Sequence, residues 1–334
     1  MKKVKIIAEA GVNHNGNLEM AKKMVEVAAD CGANAIKFQT FLADEIVTKN
    51  LEKASYQKLS SKPIETQYSM LKKLELGVKD HFELAKFCQS IDIEFMSSPF
   101  SVNSAKLLID LGVSTIKIAS GEVTNIPLLE YVSHQDVSIV ISTGMCTIDE
   151  VIHLLQFLEG NGKSKEKITF LHCSSAYPTQ PSDVNLRAIN TLSLHLGTEV
   201  GFSDHTEGID IAIGAVAIGA KIIEKHFTLD PSLDGPDQNI SLSPDRLKKM
   251  ITSIRRVEAS LGNGCKKPNA AESENLQLLR KKVVAKRFIA KGEKFTELNI
   301  DVKRSNSGIS SLFYKSVLGR IAEQSYQYDE GIKV

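Results

Sequence analysis

The chain has 334 residues, 42% hydrophobic and 24% charged, with 41 Lys plus Arg against 40 Asp plus Glu. That length admits a barrel of about 250 residues with a small extra domain. The even charge balance excludes a global basic field of the kind nucleic acid needs, so an anionic ligand must be held by local cations. The five cysteines, Cys31, Cys88, Cys146, Cys173 and Cys265, are scattered and form no CxxC. They suit a reducing cytosol better than a disulfide framework, and a cytoplasmic location is expected. The apolar run before Glu9 is too short for a signal peptide. The longest apolar stretch, from Ile209 to Ile223, carries Asp210 and Lys221. It is too short to span a bilayer and reads as a buried helix, so no membrane partner is expected.

In chain order, short β-branched runs alternate with helical patterns. The expected strands run from Val4 to Ala8, Ala35 to Gln39, Glu94 to Ser97, Thr115 to Ala119 and Ser138 to Ser142. They continue from Ile168 to Cys173, Val200 to Ser203 and Ile222 to Lys225. Each is near-continuously apolar, as strands covered on both faces should be. Between the first two, Leu18, Ala21, Val25 and Ala28 share a helical face, with Gly32 as a C-terminal cap. Leu107, Leu108 and Leu111 precede Gly112 in the same way. Further helices are expected from Thr147 to Leu158 and from Pro244 to Leu261. Eight such units predict an α/β fold, a (β/α)8 TIM barrel over residues 1–261, with a doubly wound open sheet as the runner-up. Gly262, Gly264 and Pro268 open a polar stretch that reads as a linker over 262–282. Residues 283–334 make a small module of short strands and turns, too small for a large core of its own.

In a TIM barrel, chemistry gathers where the strands end. Those ends carry Glu9 on strand one; Lys37 and Gln39 on two; Ser98 and Phe100 on three; Lys117, Ser120 and Glu122 on four. They carry Ser142 on five; Ser175 and Tyr177 on six; Ser203 and His205 on seven; His226 on eight. A single serine at a strand end is commonly a turn residue, and a single lysine commonly reaches solvent. Eight polar ends in sequence are harder to set aside. Lys37 and Lys117 sit between apolar neighbours on buried strands, where a lysine is costly unless it meets an anion. With the hydroxyls of Ser98, Ser142 and Ser203 they could cradle phosphate and carboxylate groups. The alternative is a buried Lys–Glu pair with Glu9 or Glu122. His205 and His226 end adjacent strands about 4.8 Å apart and could share a divalent ion with positions left open for substrate. A single core histidine would be the structural alternative. Asp237 lies in a Gly235-Pro236-Asp237 turn. Successive strand residues face opposite ways, so His172 and Cys173 read as packing residues.

Together these segments resemble the sialic acid synthase family across nearly the whole chain. The matching strings are AEAGVNHNG (8–16), KFQTF (37–41), SSPF (97–100), KIASGE (117–122) and STGM (142–145). They continue with HCSSAYP (172–178), GFSDHT (201–206), EKHFT (224–228) and GPD (235–237). The tail, with KGE (291–293) and VKR (302–304), resembles that family's small SAF domain, a β-clip or antifreeze-like fold. The resemblance implies a domain-swapped homodimer and a transferase that condenses phosphoenolpyruvate with an N-acetylated amino sugar. His205 and His226 would hold a divalent ion, Mn²⁺ first, with Mg²⁺ or Co²⁺ as alternatives. Lys37, Ser98, Lys117, Ser142 and Ser203 would hold phosphoenolpyruvate. Glu9, Gln39, Phe100, Ser120, Glu122, Ser175, Tyr177 and Asp237 would surround the sugar and the reacting carbons. Glu9 is the first candidate to manage a water proton, and Arg304 would reach the neighbouring subunit's sugar. Here Arg304 is followed by Ser305-Asn306-Ser307-Gly308 where the family often has Arg-Pro-Gly. Ser98 stands where Thr is common, and Ser175 where an amide is sometimes seen.

The AEAGVNHNG form and the KLEL segment (73–76) resemble the branch making N,N'-diacetyllegionaminate from 2,4-diacetamido-2,4,6-trideoxymannose. N-acetylneuraminate from N-acetylmannosamine is the close second. The rival readings are a Schiff-base aldolase using Lys37 or Lys117 and a non-catalytic sugar-binding protein.

Overall fold

The computed structural model describes residues 3–53 and 66–333. The chain divides into two compact units, Met1–Gly262 and Asn263–Val334.

The first unit is a closed barrel of eight parallel strands in sequence order. The strands are β1 (Lys5–Gly11), β2 (Ala35–Thr40), β3 (Glu94–Pro99), β4 (Thr115–Ile118), β5 (Ser138–Ser142), β6 (Ile168–Cys173), β7 (Glu199–Asp204) and β8 (Ile222–His226). Closure comes from β1 pairing with β8, with Lys5 opposite Ile222 and Glu9 opposite His226. The open-sheet alternative is therefore excluded. The expected strands are all present, and β1, β2, β3, β7 and β8 each run one to three residues further toward the polar end than their apolar runs indicated.

Helices cover the barrel because their apolar faces match its outer wall. In Leu18–Asp30, the side chains Ala21, Met24, Val25 and Ala28 are buried. Each large apolar side chain so buried contributes about 1.5–3 kcal/mol. Helix starts carry local signals: Asn17 accepts from Met20 N, and Thr147 with Glu150 forms a capping box on Ile148–Gly160. Gly32 and Gly112, at φ +86° and +74°, follow helices in the left-handed conformation expected of such caps.

Two expectations are corrected. The apolar stretch from Ile209 to Ile223 is not one helix: the helix spans Asp210–Ala217, and Ile222 already belongs to β8. Gly219, at φ +113°, turns the chain between them. The segment read as a linker contains a helix, Ala270–Leu279, opened by an Asn269–Glu272 capping box. No residue of that helix is buried, so it lacks the apolar stripe by which helices are recognised.

The barrel interior is layered with the period of two that strands impose. Ile7, Ala35, Met96, Val140, Leu171 and Ile222 form an apolar plug of their own. Two residues further along each strand stand Glu9, Lys37, Ser98, Ser142, Cys173 and Glu224, joined by Lys117 from β4 and Ser203 from β7. A closed apolar floor thus carries a polar storey.

In the second unit, β9 (Lys281–Ala285) pairs antiparallel with β10 (Ile300–Arg304). Its core comprises Val283, Ala285, Ile289, Phe295, Ile300, Val317, Ala322, Tyr326 and Ile332. No helix among the described residues is long and apolar enough to cross a membrane.

Candidate active site

The polar storey opens into a cavity of about 390 Å³ at the C-terminal ends of the strands. Every site residue expected on the barrel lines it, from Glu9 on β1 to His226 on β8 and Asp237 beyond. Arg304 does not; it is an exposed residue at the end of β10 in the second unit. A further residue, Glu224, which the strand ends did not point to, also lines the cavity. The signal that finds it is strand alternation: Glu224 lies two residues before His226 and shares its inward face.

Glu224 organises the charges. Its carboxylate lies 3.7 Å from both Lys37 Nζ and Lys117 Nζ and accepts a 2.8 Å hydrogen bond from Ser203 Oγ. Lys37 also pairs with Glu9 at 2.7 Å and donates to Ser98 Oγ at 3.2 Å. Lys117 donates to Ser142 Oγ at 2.6 Å. The lysines are therefore paired with Glu9 and Glu224. Glu122 is bound elsewhere, accepting from Asn125 Nδ2 at 2.6 Å.

The two central carboxyl groups are driven apart. Burial pushes Glu9 up to about 7, against the pull of Lys37. Burial also opposes ionisation of Glu224, but Lys117 and Lys37 outweigh it and hold its carboxyl at about 2. Near neutral pH Glu9 exchanges between its two forms, and whenever it is protonated two ammonium groups face the Glu224 carboxylate alone. In that form the cluster carries a net positive charge in a buried place, which suits an incoming anion. Burial also raises Glu122 and brings Asp237 up to about 6.

Gly11 brings β1 to Asp237. At φ +53° it can take no side chain without strain, and a Cβ there would lie 3.3 Å from Glu9 Oε1 and 3.5 Å from both Asp237 Oδ2 and Gln39 Nε2. Asn13 secures the segment after β8, donating from Nδ2 to Phe227 O and Ser241 Oγ at 2.9 Å each. Ser241 Oγ in turn donates to the carbonyl of Asp237 at 2.6 Å. Asn13 thus has a structural role. Across the mouth, Gly144 N donates to Ser120 Oγ at 3.0 Å, and the Gly144 Cα faces the Ser175 hydroxyl so closely that a Cβ would collide with it. Cys173 faces inward beneath them, Sγ 3.3 Å from Ser120 Oγ, while His172 points outward, its Nε2 bonded to the carbonyl of Val184.

The two imidazoles stand side by side, centroids 5.6 Å apart, with Tyr177 4.3 Å from His205. His205 Nδ1 donates to Ser174 O at 2.7 Å, which leaves Nε2, 3.4 Å from Ser203 Oγ, as the ring's lone-pair nitrogen. His226 Nδ1 is buried with no hydrogen-bond partner. Burial lowers both imidazoles, keeping them neutral as metal ligands must be. This donor set fits a divalent ion. Among the described residues no group of three His, Cys, Asp or Glu side chains converges on one point. Two imidazoles would therefore leave the other positions to water and substrate oxygen.

Fold and site define a (β/α)8 barrel whose mouth holds a buried lysine–carboxylate cluster beside paired imidazoles. The NeuB family model matches residues 24–266 and the SAF domain model residues 280–333, and the chain belongs to the NeuB family. It is 45% identical to the N,N'-diacetyllegionaminic acid synthase of Campylobacter jejuni over 333 residues, covering 100% of both chains. It is 44% identical to the enzyme of that name from Legionella pneumophila, over 94% of this chain and 89% of that one. Among solved structures it resembles the N-acetylneuraminic acid synthetase of Leptospira borgpetersenii. That likeness has a TM-score of 0.73 at 36% identity, over 83% of this chain and 91% of that one.

Proposed function

We propose that this chain condenses phosphoenolpyruvate with 2,4-diacetamido-2,4,6-trideoxymannose to form N,N'-diacetyllegionaminate and phosphate, with N-acetylmannosamine as the second choice of sugar. The observation that carries the reaction is the buried Lys37–Lys117 pair flanking the Glu224 carboxylate, with Ser98 and Ser142 bonded to the lysines and Ser203 to the carboxylate. The full-length likeness to two legionaminic acid synthases supports the choice of sugar.

In this reading Lys37 and Lys117 bind the phosphate and carboxylate of phosphoenolpyruvate, and Ser98, Ser142 and Ser203 donate to their oxygens. C3 of the enol forms a bond to the aldehyde carbon of the open-chain sugar, whose oxygen takes a proton. C2, left electron-poor, bonds a water oxygen, and Glu9 takes that water's proton. The hydroxyl on the resulting tetrahedral carbon gives up its proton and becomes the carbonyl as the bond to the phosphate oxygen breaks, and phosphate leaves with that bond's electron pair and takes up the proton. The lysines stabilise the departing charge through electrostatics set in place before reaction. A divalent ion, Mn²⁺ first, held by His205 and His226, would supply a Lewis acid for the aldehyde oxygen. Gln39, Phe100, Ser120, Glu122, Ser175, Tyr177 and Asp237 orient the sugar. The reading also carries a cytoplasmic homodimer in which Arg304 serves the neighbouring subunit's site.

Phosphate release from phosphoenolpyruvate with Mn²⁺, measured with each sugar and with a chelator, tests it. Chelator-sensitive release, faster with the trideoxy sugar, is expected. No release with either sugar would overturn the reading and make borohydride trapping of Lys37 and Lys117 the next experiment.

A further inference from the structure

The cavity has two chemically different sides. Its floor is the charged storey described above. Its outer wall includes Phe41 just after β2, Ile46 and Val47 at the end of the helix Ala43–Ile46, Leu71 in the helix Gln67–Leu74, and Phe100 just after β3. Phe41 meets Phe100 edge-on at 6.1 Å between centroids. Phe41 also clusters with Val12, Met70 and Leu74, and Ile46, Leu71 and Phe100 pack against that group. This apolar cluster is separate from the large one between barrel and helices. Apolar side chains that line a cavity with a charged floor expose hydrocarbon to whatever the cavity holds.

Barrel topology fixes where that wall stands. In a closed ring of eight strands, β3 lies across from β7. Phe100, just after β3, therefore stands across the mouth from His205 on β7, while Phe41, Ile46, Val47 and Leu71 belong to the segment between β2 and β3, with β2 two strands from β8 and His226. An aldehyde held beside the imidazoles leaves the far end of the open-chain sugar to extend across the same cavity to this wall.

We infer that this wall is a subsite for the C4–C6 end of the sugar, and that Ile46, Val47 and Leu71 select a methyl over a hydroxymethyl group at C6. The inference rests on the proposed condensation. A methyl group against these side chains loses water at a gain. A hydroxyl there is desolvated with no partner from the three side chains. Gln67 lines the same cavity one helical turn before Leu71, on the same helix face, and its amide matches an acetamido group at C4. N-acetylmannosamine sets a hydroxyl against the apolar side chains at C6 and offers the Gln67 amide a single hydroxyl at C4 in place of an acetamido group. An apolar pocket rejects an added hydroxyl by no more than about 100-fold, so the preference is expected to be graded.

The test is kcat/KM for both sugars, by phosphate release, in the wild type, in Leu71→Asn and in the near-isosteric Val47→Thr. The wild type should favour the trideoxy sugar. Leu71→Asn should lower the ratio of the two kcat/KM values by about tenfold or more, and Val47→Thr should lower it less, in the same direction. Circular dichroism checks folding; if Leu71→Asn does not fold, Val47→Thr decides. An active wild type with an unmoved ratio, or equal losses on both sugars, overturns the subsite alone. A wild type inactive with both sugars overturns the condensation and the subsite together.

Discussion

Asp204 and Lys225 form a 2.9 Å ion pair, both fully buried, and each stands one residue before an imidazole of the site. Because successive strand residues alternate, the pair lies on the helix-facing side of β7 and β8 while the imidazoles belong to the cavity. Asp204 Oδ1 also accepts from the backbone and hydroxyl of Thr206, and Lys225 Nζ donates to the Thr206 carbonyl at 2.5 Å. The pair ties together the two strand ends that carry the histidines.

Lys225→Met leaves the Asp204 charge buried and unpaired, and should cost about 3–5 kcal/mol of stability. Adding Asp204→Asn removes the stranded charge and keeps the Thr206 acceptor, so the double variant should recover part of the loss. Chemical denaturation of the three proteins checks this; a double variant no better than Lys225→Met would argue against a charge penalty.

Activity should depend on pH through Glu9. Its carboxyl sits at about 7, raised by burial. Only the ionised form can accept a proton, so kcat/KM should fall about tenfold per unit as pH drops below about 7. Glu9→Gln should remove this limb, while Asp237→Asn should keep it. Lys37→Met deletes the cation that pulls Glu9 down, and any remaining activity should show the limb at higher pH. A limb that survives in Glu9→Gln would assign the proton elsewhere.

Lys117→Met should lower kcat/KM by about 100- to 1,000-fold, the scale of losing one preorganised charge stabiliser. Steady-state phosphate release measures it, and a loss below about tenfold would move Lys117 out of the phosphoryl cradle.

Metal binding can be read without turnover. Mn²⁺ at about 100 times its Kd should stabilise the fold by about 2.7 kcal/mol, seen as a rise in Tm. A chelator should abolish the rise, and the double variant His205→Ala, His226→Ala should not show it. An undiminished rise in the double variant would place the ion elsewhere.

The barrel was legible because parallel strands covered on both faces leave near-continuous apolar runs, and the helices between them carry stripes and caps. The polar strand ends were legible for the same reason: Lys37 and Lys117 are conspicuous between Ile36, Phe38, Ile116 and Ile118. Glu224 was missed because only the strand ends were read for chemistry, although alternation from His226 places it on the same inward face. Pairing with β1 settles that, setting His226 beside Glu9. The helix Ala270–Leu279 escaped because it buries nothing, although its Asn269–Glu272 cap was present in the sequence. The apolar wall could not be read at all. Phe41, Leu71 and Phe100 come together only through packing of the β2 and β3 loops, which no local period encodes.

Pairing of β1 with β8 also bears on how the protein is made. The first barrel strand to leave the ribosome has one edge that residues 222–226 cover in the folded barrel. At about 5–20 residues per second, that edge waits roughly 10–40 s for its partner to be synthesised. Throughout that interval an apolar strand with unpaired backbone groups is open to neighbouring nascent chains. Synthesis speed and chaperone supply, rather than final stability, should therefore govern the yield of folded protein, and slowing translation through the first seven units should increase aggregation.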